Sequence, residues 1–473
     1  MRSNLRITWI NFSSTTLLLF AMFAVWIQPA RAQTQDRKQE IQELKDKLQQ
    51  LDQTMGEVKA RISALEESGQ PAGQQTIRTA PPTVTTTIVA RSPEEQEPVG
   101  EKTFEIYGHT QLDSGYNFQQ IDPNWFDVVR PTKLPAYKDQ FGPDGNVFFS
   151  VRQTRFGVKT STPTSLGDLK TWFEFELFGT GVDAGQTTFR LRHAYGELGQ
   201  FGAGQTWSPF MDIDVFPNSL EYWGPNGMVF FRNVQFRWMP IKGDSRVIIA
   251  AERPGASADG GIYSDRIELQ GVRPQFNLPD LSIQGRLARH WGYVQGATIF
   301  RKISWADLNP TPTTSLSRTV LGWGINVSSN LKLGESSTAR MSVIYGRGVE
   351  NYMNDAPEDV AIRTSSNTTA PVKGVPLPVL GVVSFLDHNW NKKFSTAAGY
   401  SLVNIWNTNG QLADSFHQGH YALANLLYYP VKNVMVGGEF QFGRRVNYLD
   451  GFNTNDYRVQ VSFKYNFSKM LTY

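Results

Sequence analysis

Residues 205–227 read QTWSPFMDIDVFPNSLEYWGPNG, with three acids, Asp212, Asp214 and Glu221, set among Trp207 and Trp223. Residues of these types could do three things. Asp212 and Asp214 could chelate a metal, the indoles could stack on a sugar, or the acids could line one side of a polar hole. The DID pair has no histidine close by and lacks the acidic spacing of a calcium loop, which argues against a metal site. The 473 residues include no cysteine, which excludes disulfides, thiolate metal sites and cysteine nucleophiles together. The six histidines, His109, His193, His290, His388, His417 and His420, are scattered, and no G-x-S-x-G elbow occurs; a hydrolase needs a nucleophile and a base brought together. The sequence implies no enzyme, no cofactor and no metal centre, and the choice between sugar platform and hole falls to the elements around the segment.

The chain opens with Arg2 and Arg6, an apolar stretch from Leu17 to Ile27, and Ala30-Arg31-Ala32 ahead of Gln33. This is the pattern of a secretory signal peptide over 1–32. Its apolar core is about half of the roughly 20 residues that a spanning helix needs. The formal charge of +3 is matched by the three arginines of that leader, so the remaining chain is neutral. That argues against nucleic acid as a partner, which calls for a clustered basic excess.

Within 33–68, Ile41, Leu44, Leu48, Leu51, Met55, Val58, Ile62 and Leu65 repeat in an unbroken 3-4 alternation with charged residues between them. A stripe this narrow predicts a coiled coil between copies of the chain. The Pro-, Gly-, Thr- and Gln-rich segment 69–100 reads as a linker.

From Glu101 to the end the period is two. Tyr457, Val459, Val461, Phe463, Tyr465 and Phe467 alternate with Arg458, Gln460, Ser462, Lys464 and Asn466, and Phe173 and Phe175 alternate with Glu174 and Glu176. Alternation alone also fits a soluble sandwich, in which Trp207 and Trp223 would form a sugar platform. The strands are too many for that. Short turns (160–167, 197–200, 240–244, 277–280, 430–432) alternate with long loops (116–147, 207–227, 349–378, 444–455). Aromatics such as Tyr107, Trp172, Tyr195, Trp238, Trp291, Tyr400, Trp406, Tyr428 and Tyr429 mark the strand ends. These features predict an all-β, antiparallel transmembrane barrel over 101–473. Seventeen segments qualify as strands, 265–276 among them, and an even count follows if 281–293 and 297–306 share one strand and its loop. The expectation is sixteen strands, the size that leaves an aqueous lumen.

The order of leader, heptad helix, linker and barrel, with RQTRFGVKTSTP (152–163), LRHAYGELGQFGAGQTWSPFMD (191–212) and EYWGPNG (221–227), resembles the DcaP-like trimeric outer-membrane porins. The resemblance implies a homotrimer of sixteen-stranded barrels in the outer membrane of a Gram-negative bacterium, its coils in the periplasm, passing small anions, notably dicarboxylates. It also implies that the third outer loop, 208–227, folds into the lumen. Asp212, Asp214 and Glu221 would then line one side of a constriction. Arg155, Arg190 and Arg192 have the parity to form the opposite wall, and Arg237 and Arg286 are added to it; each could instead sit in a structural ion pair with Glu174, Glu176 or a loop acid. Arg152 breaks the parity of Arg155 and is placed at a strand rim or a subunit interface. The SKMLTY that follows Phe467 is expected to prolong the last strand, with Tyr473 as its terminal aromatic. A second reading makes the barrel an anchor and the coil a tether across the envelope.

Overall fold

The computed structural model describes Lys45, Gln49 and residues 100–311, 315–366 and 372–472. The leader, the eight coiled-coil core positions (Ile41, Leu44, Leu48, Leu51, Met55, Val58, Ile62 and Leu65) and most of the linker lie outside these residues.

Runs of alternating aromatic or β-branched and polar residues become strands. In chain order these are β1 (Thr103–Asn117), β2 (Asn146–Ser150), β3 (Arg155–Thr162), β4 (Leu169–Phe178), β5 (Thr187–Leu198), β6 (Phe201–Trp207) and β7 (Arg232–Ile241). Then follow β8 (Arg246–Glu252), β9 (Ala258–Asp259), β10 (Val272–Gln275), β11 (Asp280–Arg289), β12 (Gly292–Asp307), β13 (Arg318–Leu333) and β14 (Ser337–Arg347). The last are β15 (Val360–Thr364), β16 (Val372–Pro376), β17 (Pro378–Asn389), β18 (Phe394–Ile405), β19 (Phe416–Tyr428), β20 (Val434–Asn447) and β21 (Asn453–Thr472). Three short ones, β9, β15 and β16, form a separate sheet, and the other eighteen make one antiparallel sheet.

That sheet closes on itself. β1 pairs with β21 from Thr103↔Thr472 to Asn117↔Arg458, so the sheet has no free edge strand of the kind that templates aggregation. Two positions in the ring are each filled by two segments. β2 covers the far half of β1 and β3 the near half, while β10 and β11 pair with opposite ends of β12. The eighteen segments thus make a sixteen-stranded closed barrel.

The strand count agrees with the expectation, but the route to it is corrected. Segments 281–293 and 297–306 are two separate strands, β11 and β12, joined by a tight turn with Arg289↔Gly292 in register. The surplus candidate is 265–276, which forms a short helix, Ile267–Gln270, and then β10 in the position that β11 continues. For the same reason 277–280 is a break inside one barrel position, not a turn between neighbours. β21 does continue beyond Phe467, as far as Thr472; Tyr473 is outside the described residues.

Alternation sets the two faces. Phe236, Trp238, Tyr457, Val461 and Phe463 are exposed outward, whereas Asp456, Arg458, Gln460 and Ser462 are buried inward. Three of the aromatics expected at the strand ends face inward, since the ladders set them level with or two residues from Glu174: Tyr107 donates to the Glu174 carboxylate at 2.5 Å, Trp172 stacks on His193 at 3.5 Å between centroids, and Tyr195 donates to Glu197. From β12 to β19 the inward face is mixed, with Ile299, Ile344, Val383, Phe385, Val403 and Leu423 buried beside polar residues such as Asn326, Ser328 and Ser401. The apolar ones are buried because the long connection 208–231 lies inside the barrel, where Phe210, Met211, Val215 and Met228 pack against them.

Candidate pore constriction

The loop between β6 and β7 is held inside by its acids. Asp212 receives Arg286 Nη2 at 2.6 Å, Tyr293 Oη at 2.8 Å and Ser328 Oγ at 2.6 Å. Asp214 receives Arg286 Nη1 at 2.5 Å, and its backbone carbonyl accepts from Asn330 and Arg340. The Arg286 fork therefore grips two carboxylates at once, an arrangement its planar geometry suits, and ties the loop to β11–β14. Further along, Leu220 N and Glu221 N donate to Glu439 at 2.8 and 3.1 Å. Glu221 itself turns into protein and accepts from Val129 N, Gly224 N and Tyr421 Oη. Burial pushes its carboxyl up to about 7, against the opposing pull of Arg458 and of these donors. At Gly227 the loop backbone lies flat on the wall, and a Cβ there would run into the Leu402 and Val382 carbonyl oxygens.

The loop after β1 locks onto the same structure. Arg130 lies against both Trp125 and Trp223, 4.1 and 4.0 Å from the ring centroids, and its Nε binds Asp355 at 2.9 Å. Thr132 donates twice more to Asp355, from its backbone N and its hydroxyl. Three loops are thereby cross-linked at one end of the barrel.

Of the three loop acids, then, only Asp214 keeps an exposed side chain, 46% accessible; those of Asp212 and Glu221 are enclosed. The negative side expected from all three is reduced to one group, because a carboxylate is the natural acceptor for anchoring a loop inside a barrel. Trp223, once a candidate for a sugar platform, packs edge-on against Trp125 at 4.9 Å.

The arginines form a different constellation. Arg155, Arg190, Arg192 and Arg232 converge on Glu176, with nearest N···O distances of 3.3, 2.5, 2.7 and 3.8 Å. Glu174 adds a second carboxylate, 2.5 Å from Arg192 and 3.7 Å from Arg155. The hydroxyl of Tyr222, carried by the inserted loop, donates to Glu176 and accepts from Arg190 and Arg192. Alternation puts Arg190 and Arg192 on one face, and a bulge in the β4–β5 ladder at Glu174/Phe175 skips Arg192, so that Arg192 and the next residue, His193, are both buried inward. Four guanidiniums over two carboxylates leave an excess of two positive charges. They do not face the loop acids across a gap; they are partnered on their own wall, which for Arg155, Arg190 and Arg192 is the ion-pair alternative left open above.

Arg237 is buried and donates to Gln235 and to the Trp207 carbonyl. Arg152 lies outside this cluster: its guanidinium binds Asp127 at 2.5 Å and the Gly179 and Gln186 carbonyls, all in loops that leave the strand ends. Parity could not place it, because the strand breaks between Ser150 and Arg155. Arg232 and Tyr222 were not singled out by the sequence. Arg232 sits at the first position of a strand, where alternation has no preceding residue to set its face, and Tyr222 lies in a loop. The acids of the hub were visible, since Glu174 and Glu176 share a face.

Comparison with known proteins decides the family. The model of the DcaP outer membrane protein family matches residues 94–467. The chain belongs to the DcaP outer membrane protein family. A solved structure from this family, the outer membrane channel DcaP of Acinetobacter baumannii, is 19% identical with a TM-score of 0.64, over 77% of this chain and 97% of that one. The anion-selective porin from Comamonas acidovorans gives 10% identity and a TM-score of 0.49 over 78% of this chain and 100% of its own. The trimer form of OmpT from Vibrio cholerae gives 11% and 0.46 over 78% and 100%. No curated protein matches the chain in sequence. In this DcaP-family barrel the loop 208–231 and the arginine hub on β3–β5 and β7 both lie inside the barrel. Among the described residues no group of three His, Cys, Asp or Glu is placed to hold a metal.

Proposed function

We propose that the protein is a porin, a water-filled channel for passive diffusion of small polar solutes across the outer membrane of a Gram-negative bacterium, favouring anions such as dicarboxylates. One observation carries the preference: four guanidiniums gathered over two carboxylates inside a closed barrel. In a confined space with low-dielectric walls such an excess raises the local concentration of anions and repels cations. The two carboxylates fix the arginines in place and cancel only half of their charge. The apolar part of the β12–β19 inner face is taken up by loop packing, which leaves the charged side for solute.

The functional unit in this reading is a homotrimer in outer-membrane lipid. Its segment 33–68 forms a periplasmic coiled coil through Ile41, Leu44, Leu48, Leu51, Met55, Val58, Ile62 and Leu65, the leader 1–32 is removed and 69–100 is a linker. Swelling of liposomes containing the mature protein tests the channel. Faster entry of succinate than of an uncharged solute of the same size is the expected result, and no swelling with either would refute it. The second reading, an anchor tethered by the coil, is favoured if deletion of 33–100 leaves swelling intact and detaches the outer membrane from the cell wall.

A further inference from the structure

Arg232 differs from the other three arginines of the hub. Its nearest contact to Glu176 is 3.8 Å, its side chain is only 10% exposed, and its Nη1 has no hydrogen-bond partner. It lies over Trp207 and Phe230, 4.9 and 5.7 Å from their centroids. Buried polar groups are nearly always partnered, and one that is not calls for an explanation.

The wall around it supplies one. The β5–β6 ladder stops at Ala194↔Gln205 and the β6–β7 ladder at Trp207↔Arg232. Beyond these pairs the sheet parts, the loop 208–231 leaves it, and a cavity of about 360 Å³ opens, lined among others by Arg190, Arg232, Gln205, Tyr222, Asn351 and Asn354. An enclosed guanidinium nitrogen without an acceptor, at the edge of a cavity lined by both polar and aromatic side chains and in a cluster with two surplus positive charges, matches an oxyanion in both charge and geometry.

We propose that this cavity is an oxyanion subsite in which Arg232 Nη1, seconded by Arg190, holds one carboxylate of the passing solute. Arg155 and Arg192 serve as the platform that Glu174 and Glu176 keep in place. The inference rests on the anion-porin reading and deepens it: Arg232 is the residue that sets how tightly the solute pauses.

The test uses the full mature protein in planar bilayers with potassium acetate as the probe. Wild-type conductance should saturate with acetate concentration, as a channel with a binding site does. Arg232→Gln should raise the half-saturating concentration by about fivefold or more, as expected when a focused charge is removed, and Arg232→Lys should restore part of it. Gln205→Glu, which places a carboxylate inside the cavity, should abolish saturation independently. Wild-type half-saturation in both Arg232→Gln and Gln205→Glu, with wild-type anion preference intact, would overturn the subsite alone. Wild-type protein that prefers cations would overturn the porin reading beneath it.

Discussion

Glu176 is the centre of the hub, and replacing it with Gln should have two effects that look opposed. Its carboxylate is fully enclosed and meets four guanidiniums between 2.5 and 3.8 Å. At an effective dielectric of about 20, each contact near 3 Å is worth about 5 kcal/mol of gross attraction, most of it cancelled by the cost of desolvating the charges. Removing one partner of such a buried set costs about 3–5 kcal/mol, because the guanidiniums are left facing each other. Glu176→Gln should therefore unfold more readily in denaturant. The same change raises the positive excess of the cluster from two to three, so the channels that do form should prefer anions more strongly than wild type. The assay is the reversal potential in a salt gradient beside the urea midpoint in detergent. A shift toward cations would refute the hub as the source of selectivity, and an unchanged midpoint would refute the packing argument.

Asp212→Asn should loosen one arm of the Arg286 fork, the other staying on Asp214, and weaken the Tyr293 and Ser328 contacts. A double-mutant cycle with Arg286→Gln should show coupling of about 1.5 kcal/mol or more, visible also as noisier single-channel currents; additive effects would show that the staple is idle. Glu221 titrates higher when folded, about 7, than a free carboxylate. The folded state thus binds its proton more tightly, and its stabilising effect of about 3 kcal/mol is complete below the ordinary carboxylate range and lost as pH rises through about 7. Glu221→Gln should flatten the fall of the urea midpoint over that window, and an equally steep fall would count against the assignment. Gly227→Ala should push the loop off the wall, since backbone carbonyls occupy the space of its Cβ; a cost of about 1–3 kcal/mol is expected in the urea midpoint, and a wild-type midpoint would show that the contact is loose.

The barrel was legible because a two-residue period leaves a direct trace: the alternation of Tyr457 to Phe467 maps onto β21 residue for residue. The strand count was less secure, since 265–276 has strand-like composition but forms a short helix and half of a divided position. No local pattern tells a break within one barrel position from a turn between two. The inward loop was also legible, from its length and from the family resemblance. What its acids do was not, because a carboxylate that faces water and one that grips Arg286 look the same in sequence. Between β12 and β19 apolar residues stand on both faces, Ile325 and Val343 outward and Ile299 and Ile344 inward, so hydrophobicity there does not by itself tell loop packing from lipid. Arg232 escaped because its significance depends on where two ladders end, which is a property of pairing and not of any one strand.

The central claim is an open channel whose charge favours anions. It is tested most directly by the zero-current potential of the purified mature protein in a planar bilayer under a potassium chloride gradient. Steady conductance with a potential of the sign set by chloride is the predicted result. A potential of the sign set by potassium, or a bilayer that stays silent although the barrel has inserted, would contradict it.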